Sequence, residues 1–440
     1  MNSRQPDTDE KQITHDLSYH HDLDNNDNFS PDGSWLVYDT RTDDGGIAAS
    51  AKIEKVNINT GEKKILFQIE NNHPWGPGAG AVSYSPAENA VVFIHGLASS
   101  TEANPYQQWR RTGVIIEDAN PNKPVYMDAR DVTHPFTPGA LRGGTHRHEW
   151  SGDGNWIGYT YNDAILKALE DSTGERHNLR TIGVSKRGIP VQVDDSEENV
   201  SGTWYSALVV KVTPNPKPGS DEISHAAGDS WVGKNGYLKN GKQQIARAFL
   251  GTVKTKEGKD NSEVFIVDIP GDIDVPGDSG PLEGTTTTFP MPPKGTAQRR
   301  LTNTTGSAKP GCSGIVRSST DGSMLAFLAF DDSGIQQVFL IPAAGGTMRQ
   351  LTYHESDVHG NVRWHPDGKH VSYIWKGSIM LCETGTEDFG KRFIQLTVPG
   401  PSAPTNTVWS PDGKTIAFNR LVKSENKQSA TQQIFIKTIR

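Results

Sequence analysis

Cysteine is nearly absent: Cys312 and Cys382 are the only two in 440 residues. That excludes a disulfide framework, and the pair reads as two reduced, packed thiols, with a single bridge as the alternative. No run approaches the ~18 apolar residues of a membrane-spanning helix. The polar, acidic stretch 1–11 lacks the apolar segment of a signal peptide. As given, the chain is expected to be cytoplasmic, or exported if a leader was removed ahead of residue 1. Excess positive charge is also missing. Lys and Arg number 44 against 52 Asp and Glu, a net charge of -8, which argues against a general nucleic-acid or anionic-membrane surface. No nucleophile elbow, P-loop, dinucleotide fingerprint or HExxH motif is present. Gly277-Asp278-Ser279-Gly280-Pro281 approaches a serine-protease motif but lacks its second glycine.

What the chain does have is turns: 45 Gly and 27 Pro in a sequence that is 34% hydrophobic. One phrase recurs at Phe29-Ser30-Pro31-Asp32-Gly33, Trp150-Ser151-Gly152-Asp153-Gly154, Trp364-His365-Pro366-Asp367-Gly368 and Trp409-Ser410-Pro411-Asp412-Gly413. Weaker copies stand at Tyr84-Ser85-Pro86 and Ser319-Thr320-Asp321-Gly322. An aromatic ends one strand, Pro pre-sets φ, Asp bonds its own backbone, Gly takes the positive φ, and an alternating strand follows. A second phrase, Arg349-Gln350-Leu351-Thr352, recurs at Arg299–Thr302, Ile394–Thr397 and Lys11–Thr14. It closes one unit just before the next begins.

Such regularity marks a repeat protein. Each unit reads as a four-stranded antiparallel meander, and seven are expected, over about 22–70, 79–130, 143–195, 200–302, 311–352, 358–397 and 403–440. The last lacks a fourth strand, which residues 11–14 can supply, leaving no sheet edge unpaired at the seam. Residues 1–10 are expected to be disordered. In the fourth unit Trp204–Val210 reads as the inner strand, with insertions at about 213–245 and 268–297. These phrases resemble those of the TolB-type (PD40-like) propellers. The resemblance covers nearly the whole chain and implies an all-β, seven-bladed β-propeller. It leaves function open, because that fold hosts binding proteins and enzymes alike.

In a meander the approach to the inner strand and the end of the second strand open on one mouth. His73 and His95 frame the inner hairpin of the second unit; Arg142, His146 and His148 lead into the third, whose second strand ends at Tyr161-Asn162-Asp163; His359 leads into the sixth. His146 and His148, two apart on a strand, are expected to share a face, as two ligands of one divalent metal or as a catalytic imidazole with a positioning one. Arg142 before Gly143-Gly144 suits carboxylate recognition, and Tyr126 is a phenolic acid or base. For each of these residues, packing between blades is the competing explanation.

This inventory resembles a second group, the propeller-fold polysaccharide lyases that act on oligogalacturonate, ulvan or rhamnose–glucuronate chains. The resemblance implies β-elimination on an acidic oligosaccharide, with His95, Tyr126, Arg142 and His73 catalytic and His146, His148, Tyr161, Asn162 and His359 contacting substrate. Arg142 would neutralise the uronate carboxylate so that the C5 proton becomes acidic, with His95 or Tyr126 as base or acid. The Gln and His-x-His pattern of the metal-dependent oligogalacturonate enzymes is not reproduced before His146. A monomer acting on an acidic oligosaccharide is therefore one expectation. A non-catalytic TolB-like binding or interaction propeller is the other.

Overall fold

The computed structural model describes residues 10–24, 27–42, 46–385, 392–423 and 429–439. Each recurring turn closes on its own side chains. Ser30 Oγ donates to Asp32 Oδ1 at 2.6 Å and accepts from Trp35 N at 3.0 Å, with Gly33 at φ 71°. The same pair of bonds ties Ser151 to Asp153 and Trp156, Ser319 to Asp321 and Met324, and Ser410 to Asp412 and Thr415. His365 replaces the serine, and its Nδ1 accepts from Asp367 N at 3.2 Å. The turn thus pins strand register locally, before any blade packs on another.

Seven four-stranded antiparallel sheets result, as the TolB-type resemblance implies. The recurring Leu-Thr phrase has one structural job. The hydroxyl of the Thr that follows the outer strand accepts a backbone N–H from the third strand: Thr302 from Val264, Thr352 from Val338 and Thr397 from Ile379, all at 2.8–2.9 Å. Thr14 does the same for Ile434 at 2.8 Å. The N-terminal strand Glu10–Gln12 pairs with Ala430–Thr438, and Glu10 binds Arg420 at 2.9 Å. Of the stretch expected to be disordered, residues 1–9 lie outside the described residues, whereas Glu10 belongs to this closing strand. Deleting residues 1–14 should lower the denaturant midpoint sharply. Buried Ile13 alone is worth about 1.5–3 kcal/mol, and a new sheet edge opens as well. An unchanged midpoint would contradict the closure.

The boundary between the third and fourth blades is corrected. Gly202–Leu208 pairs with Thr181–Val191 as the outer strand of blade three. The inner strand of blade four is Ile223–Trp231, inside the stretch expected to be an insertion. It is harder to see because its turn is replaced by residues 232–245, which carry a small hairpin, Tyr237–Lys239 with Lys242–Gln244. Among the described residues there is one α-helix, Ala164–Thr173, which follows the second strand of blade three and is capped by Asp163, whose Oδ1 accepts from Leu166 N at 2.9 Å.

Ion pairs held by buried arginines cross the propeller axis between blades that are not neighbours. Arg317 of blade five meets Glu149 of blade three at 2.9 Å, and Arg363 of blade six meets Asp27 of blade one at 3.1 Å. Arg247 binds both Glu149, at 3.1 Å, and Asp229. This charged waist separates a strand-start mouth, where inner strands begin, from a turn mouth ringed by the Ser-Pro-Asp-Gly turns.

Candidate active site at the strand-start mouth

The expected site residues do not converge. His95 sits between blades one and two, its ring 5.5 Å from Phe67 and 6.5 Å from Tyr126 on the outer strand of blade two. Strand alternation sends it into the inter-blade packing rather than toward the axis. His73 is exposed in a tight turn and stacks on Trp75 at 4.6 Å. Arg142 is fully buried and held by four hydrogen bonds: Nε and Nη2 donate to Asp163 Oδ2 at 3.0 and 2.9 Å, and Nη1 and Nη2 also donate to the carbonyls of Thr285 and Thr288. It anchors the blade-four insertion: four of its five N–H donors are taken inside the fold and the side chain has no exposed surface to offer a substrate carboxylate. Tyr161 is buried too, its hydroxyl donating to the same Asp163 Oδ2 at 3.0 Å. His359 is exposed at the first position of the inner strand of blade six, at the strand-start mouth.

His146 and His148 do not share a face. Arg147 between them adopts φ 57°, and the register slips between His146 and Glu149, so a bulge breaks the two-residue alternation. His148 turns into the contact between blades two and three. Its Nε2 meets Thr145 Oγ1 at 2.9 Å, and Thr145 in turn donates to buried Asp128 at 3.2 Å. Burial, and then the charge of Arg111, push the His148 pKa down to about 3. Unfolded chains take up that proton near pH 6.5, so acidification from about 6.5 toward 3 stabilises the unfolded state through this residue. A His148→Gln variant should therefore lose less stability than the wild type between pH 7 and 4 in parallel denaturant titrations. Equal losses would show that His148 is solvated.

His146 goes the other way, toward the mouth, and is half-buried. Burial is the main cause that holds its imidazole well below the ordinary histidine range, followed by the charges of Arg111, Arg180, Arg147 and His148. Arg111 opens the third strand of blade two, and Arg180 immediately precedes the third strand of blade three. Arg180 Nε donates to Asn162 Oδ1 at 3.1 Å, and Asn162 pairs with Gly144, two residues before His146. A Cβ on Gly144 would lie 2.9 Å from Arg111 Cγ and collide with the Gln108 carbonyl, so glycine is required for this approach. Arg111 Nη1 donates to Tyr106 OH at 2.7 Å. Burial and the neighbouring Arg111 lower the Arg180 pKa to about 10. His225, on the inner strand of blade four, has its pKa lowered by burial and then by Arg180.

Unpaired buried polar atoms concentrate at this junction. Arg111 Nε and Nη2, Thr112 Oγ1, His146 Nδ1 and His148 Nδ1 are all buried without a partner. Such groups cost about 1–3 kcal/mol each when left unsatisfied and call for a functional explanation. The arrangement sets a neutral imidazole beside two guanidiniums and a phenol, which can hold a carboxylate and remove a proton next to it. Asn162, expected to touch substrate, instead holds Arg180. Arg111, Arg180, Tyr106 and His225 were not anticipated. The usable signal was that third strands also begin at this mouth, which places Arg111 and Arg180 there.

The bulge at Arg147 separates the His146 and His148 rings. Among the described residues, the one His/Asp/Glu/Cys group with donor atoms within 4.8 Å of one another is His365, Asp367 and His370. It belongs to the blade-six turn, where His365 Nε2 faces Gly413 O at 2.9 Å and His370 Nδ1 faces Asp367 at 2.7 Å. His365 Nδ1 also faces Asp367, at 3.1 Å, and the group stands at a Pro-Asp-Gly turn, so it supplies no ligand to the strand-start mouth. Among the described residues no helix is long and apolar enough to cross a membrane.

A family model described as "Protein of unknown function (DUF3748)" matches residues 78–199, which contain this junction. The chain is 36% identical over 416 residues to "Uncharacterized protein YidR" of Escherichia coli (strain K12), covering 93% of this chain and 94% of that protein. Among solved structures it resembles an oligogalacturonate lyase in complex with manganese, at 11% identity and TM-score 0.57, over 99% of this chain and 94% of that one. It also resembles an oligogalacturonate lyase from Vibrio parahaemolyticus, at 12% identity and TM-score 0.53, over 100% and 95%. At such identities the likeness establishes a shared fold.

Proposed function

The chain belongs to the YidR family, and we propose that it is a carbohydrate-active lyase that cleaves a uronate-containing oligosaccharide by β-elimination at the strand-start mouth. The observation that carries this is the cluster of unpaired buried polar atoms on Arg111, Thr112 and His146, beside Arg180. Two guanidiniums neutralise the uronate carboxylate and stabilise the charge that develops when C5 is deprotonated. His146, neutral at physiological pH, takes the C5 proton; the C4–O bond breaks as the C4–C5 double bond forms. Tyr106, fixed by Arg111, donates a proton to the departing oxygen and is reprotonated through solvent from His146. The shared fold with oligogalacturonate lyases is consistent with this chemistry and does not specify the sugar.

The test is the ultraviolet absorbance of an unsaturated uronate while the protein meets pectin-derived, ulvan, glucuronan and rhamnose–glucuronate oligosaccharides, with and without chelator. A rise insensitive to chelator is the expected result. A chelator-sensitive rise would bring a metal back into the mechanism. Saturable binding of these substrates without a rise would make the propeller a receptor for acidic sugars rather than an enzyme.

A further inference from the structure

The turn mouth, on the far side of the charged waist, holds a cavity of about 320 Å³ lined by residues from all seven blades. Its walls come from the recurring turns themselves: Trp231, Trp364, Trp409 and Pro366 stand among them. Its floor is two ion pairs, Asp27 with Arg363 and Glu149 with Arg317. We propose that this cavity is a second binding site, for a neutral sugar. The site does not depend on the lyase reading.

Three features select that ligand class. The volume is at the small end of ordinary ligand pockets, roughly 300–1,000 Å³, which suits a mono- or disaccharide rather than a long chain. The floor pairs two carboxylates with two guanidiniums, and the one further charge of the lining, Lys234, is exposed to solvent, so the floor itself favours neither an anion nor a cation. A sugar hydroxyl donates to a carboxylate and accepts from a guanidinium, and each ion pair presents both functions side by side. Asp27 is the reachable partner, its side chain 52% exposed. The indole and proline walls supply apolar surface for the C–H faces of a pyranose ring.

The experiment is a titration of intrinsic tryptophan fluorescence with D-glucose, D-galactose, L-rhamnose and lactose. A saturable change is expected with at least one of them. Asp27→Asn keeps the shape, removes a charge-assisted hydrogen bond and should weaken binding roughly tenfold. Trp364→Ala should abolish the response, and Arg180→Ala, at the opposite mouth, should leave it intact. No saturable change with any sugar would overturn the proposal, and so would a response that Asp27→Asn leaves unweakened. A response lost in Arg180→Ala would also overturn it, by placing the ligand at the strand-start mouth. If Trp364→Ala misfolds, the other two variants decide.

Discussion

His146→Ala should cut turnover of a uronate oligosaccharide by about 10²–10⁴, the usual contribution of a positioned general base. Affinity should survive, because Arg111 and Arg180 remain to hold the carboxylate. Arg180→Ala should show the reverse emphasis: a KM raised by about one to two orders of magnitude, from loss of charged hydrogen bonds worth about 1.5–3 kcal/mol. The pH profile adds a sign that a merely structural histidine would not give. Burial and the neighbouring guanidiniums hold His146 well below its usual range, so the imidazole stays a competent base in mild acid. The acid limb of kcat/KM should accordingly fall below pH 6.5. An acid limb at the ordinary histidine value, or a His146→Ala enzyme of normal turnover, would remove His146 from the role of base.

Arg142→Ala should unfold the protein rather than disable a folded one. Its guanidinium and the Asp163 carboxylate are both fully buried and bonded at 2.9 Å, and the same guanidinium holds the carbonyls of Thr285 and Thr288. Removing one partner of such a pair costs about 3–5 kcal/mol, because the other charge is left buried and unpaired. Asp163 also caps the helix of blade three and accepts the Tyr161 hydroxyl, so the loss reaches that helix and the blade-four insertion together. Arg142→Lys keeps the charge without the two-pronged geometry and should recover only part of the midpoint. A folded, inactive Arg142→Ala protein would instead return Arg142 to the site.

These two arginines show what the sequence could and could not convey. Local grammar was legible, because the Ser-Pro-Asp-Gly turn and the Leu-Thr closure are built from side chains within a few residues of one another or one strand apart. Blade count and the closing strand followed from them. Blade four was misplaced because its turn phrase is missing and a hairpin stands in its place. The site was harder for a different reason. Arg142 and Arg180 both stand beside strands of blade three, and only packing against the distant Thr285–Thr288 loop decides that Arg142 is consumed. His146 and His148 obeyed simple alternation until the bulge at Arg147, a positive-φ residue that nothing in the local sequence marks. His95 and Tyr126 are both near a strand end, but Tyr126 lies on the outer strand of its blade and His95, on the second strand, packs between blades against Phe67.

The most direct test of the central claim is a crystal structure of His146→Ala bound to an unsaturation-competent uronate disaccharide. The carboxylate is expected between Arg111 and Arg180, with the C5 hydrogen directed at the space the imidazole vacated and the glycosidic oxygen within reach of Tyr106. A disaccharide seated elsewhere, or one with its carboxylate turned away from both guanidiniums, would contradict it.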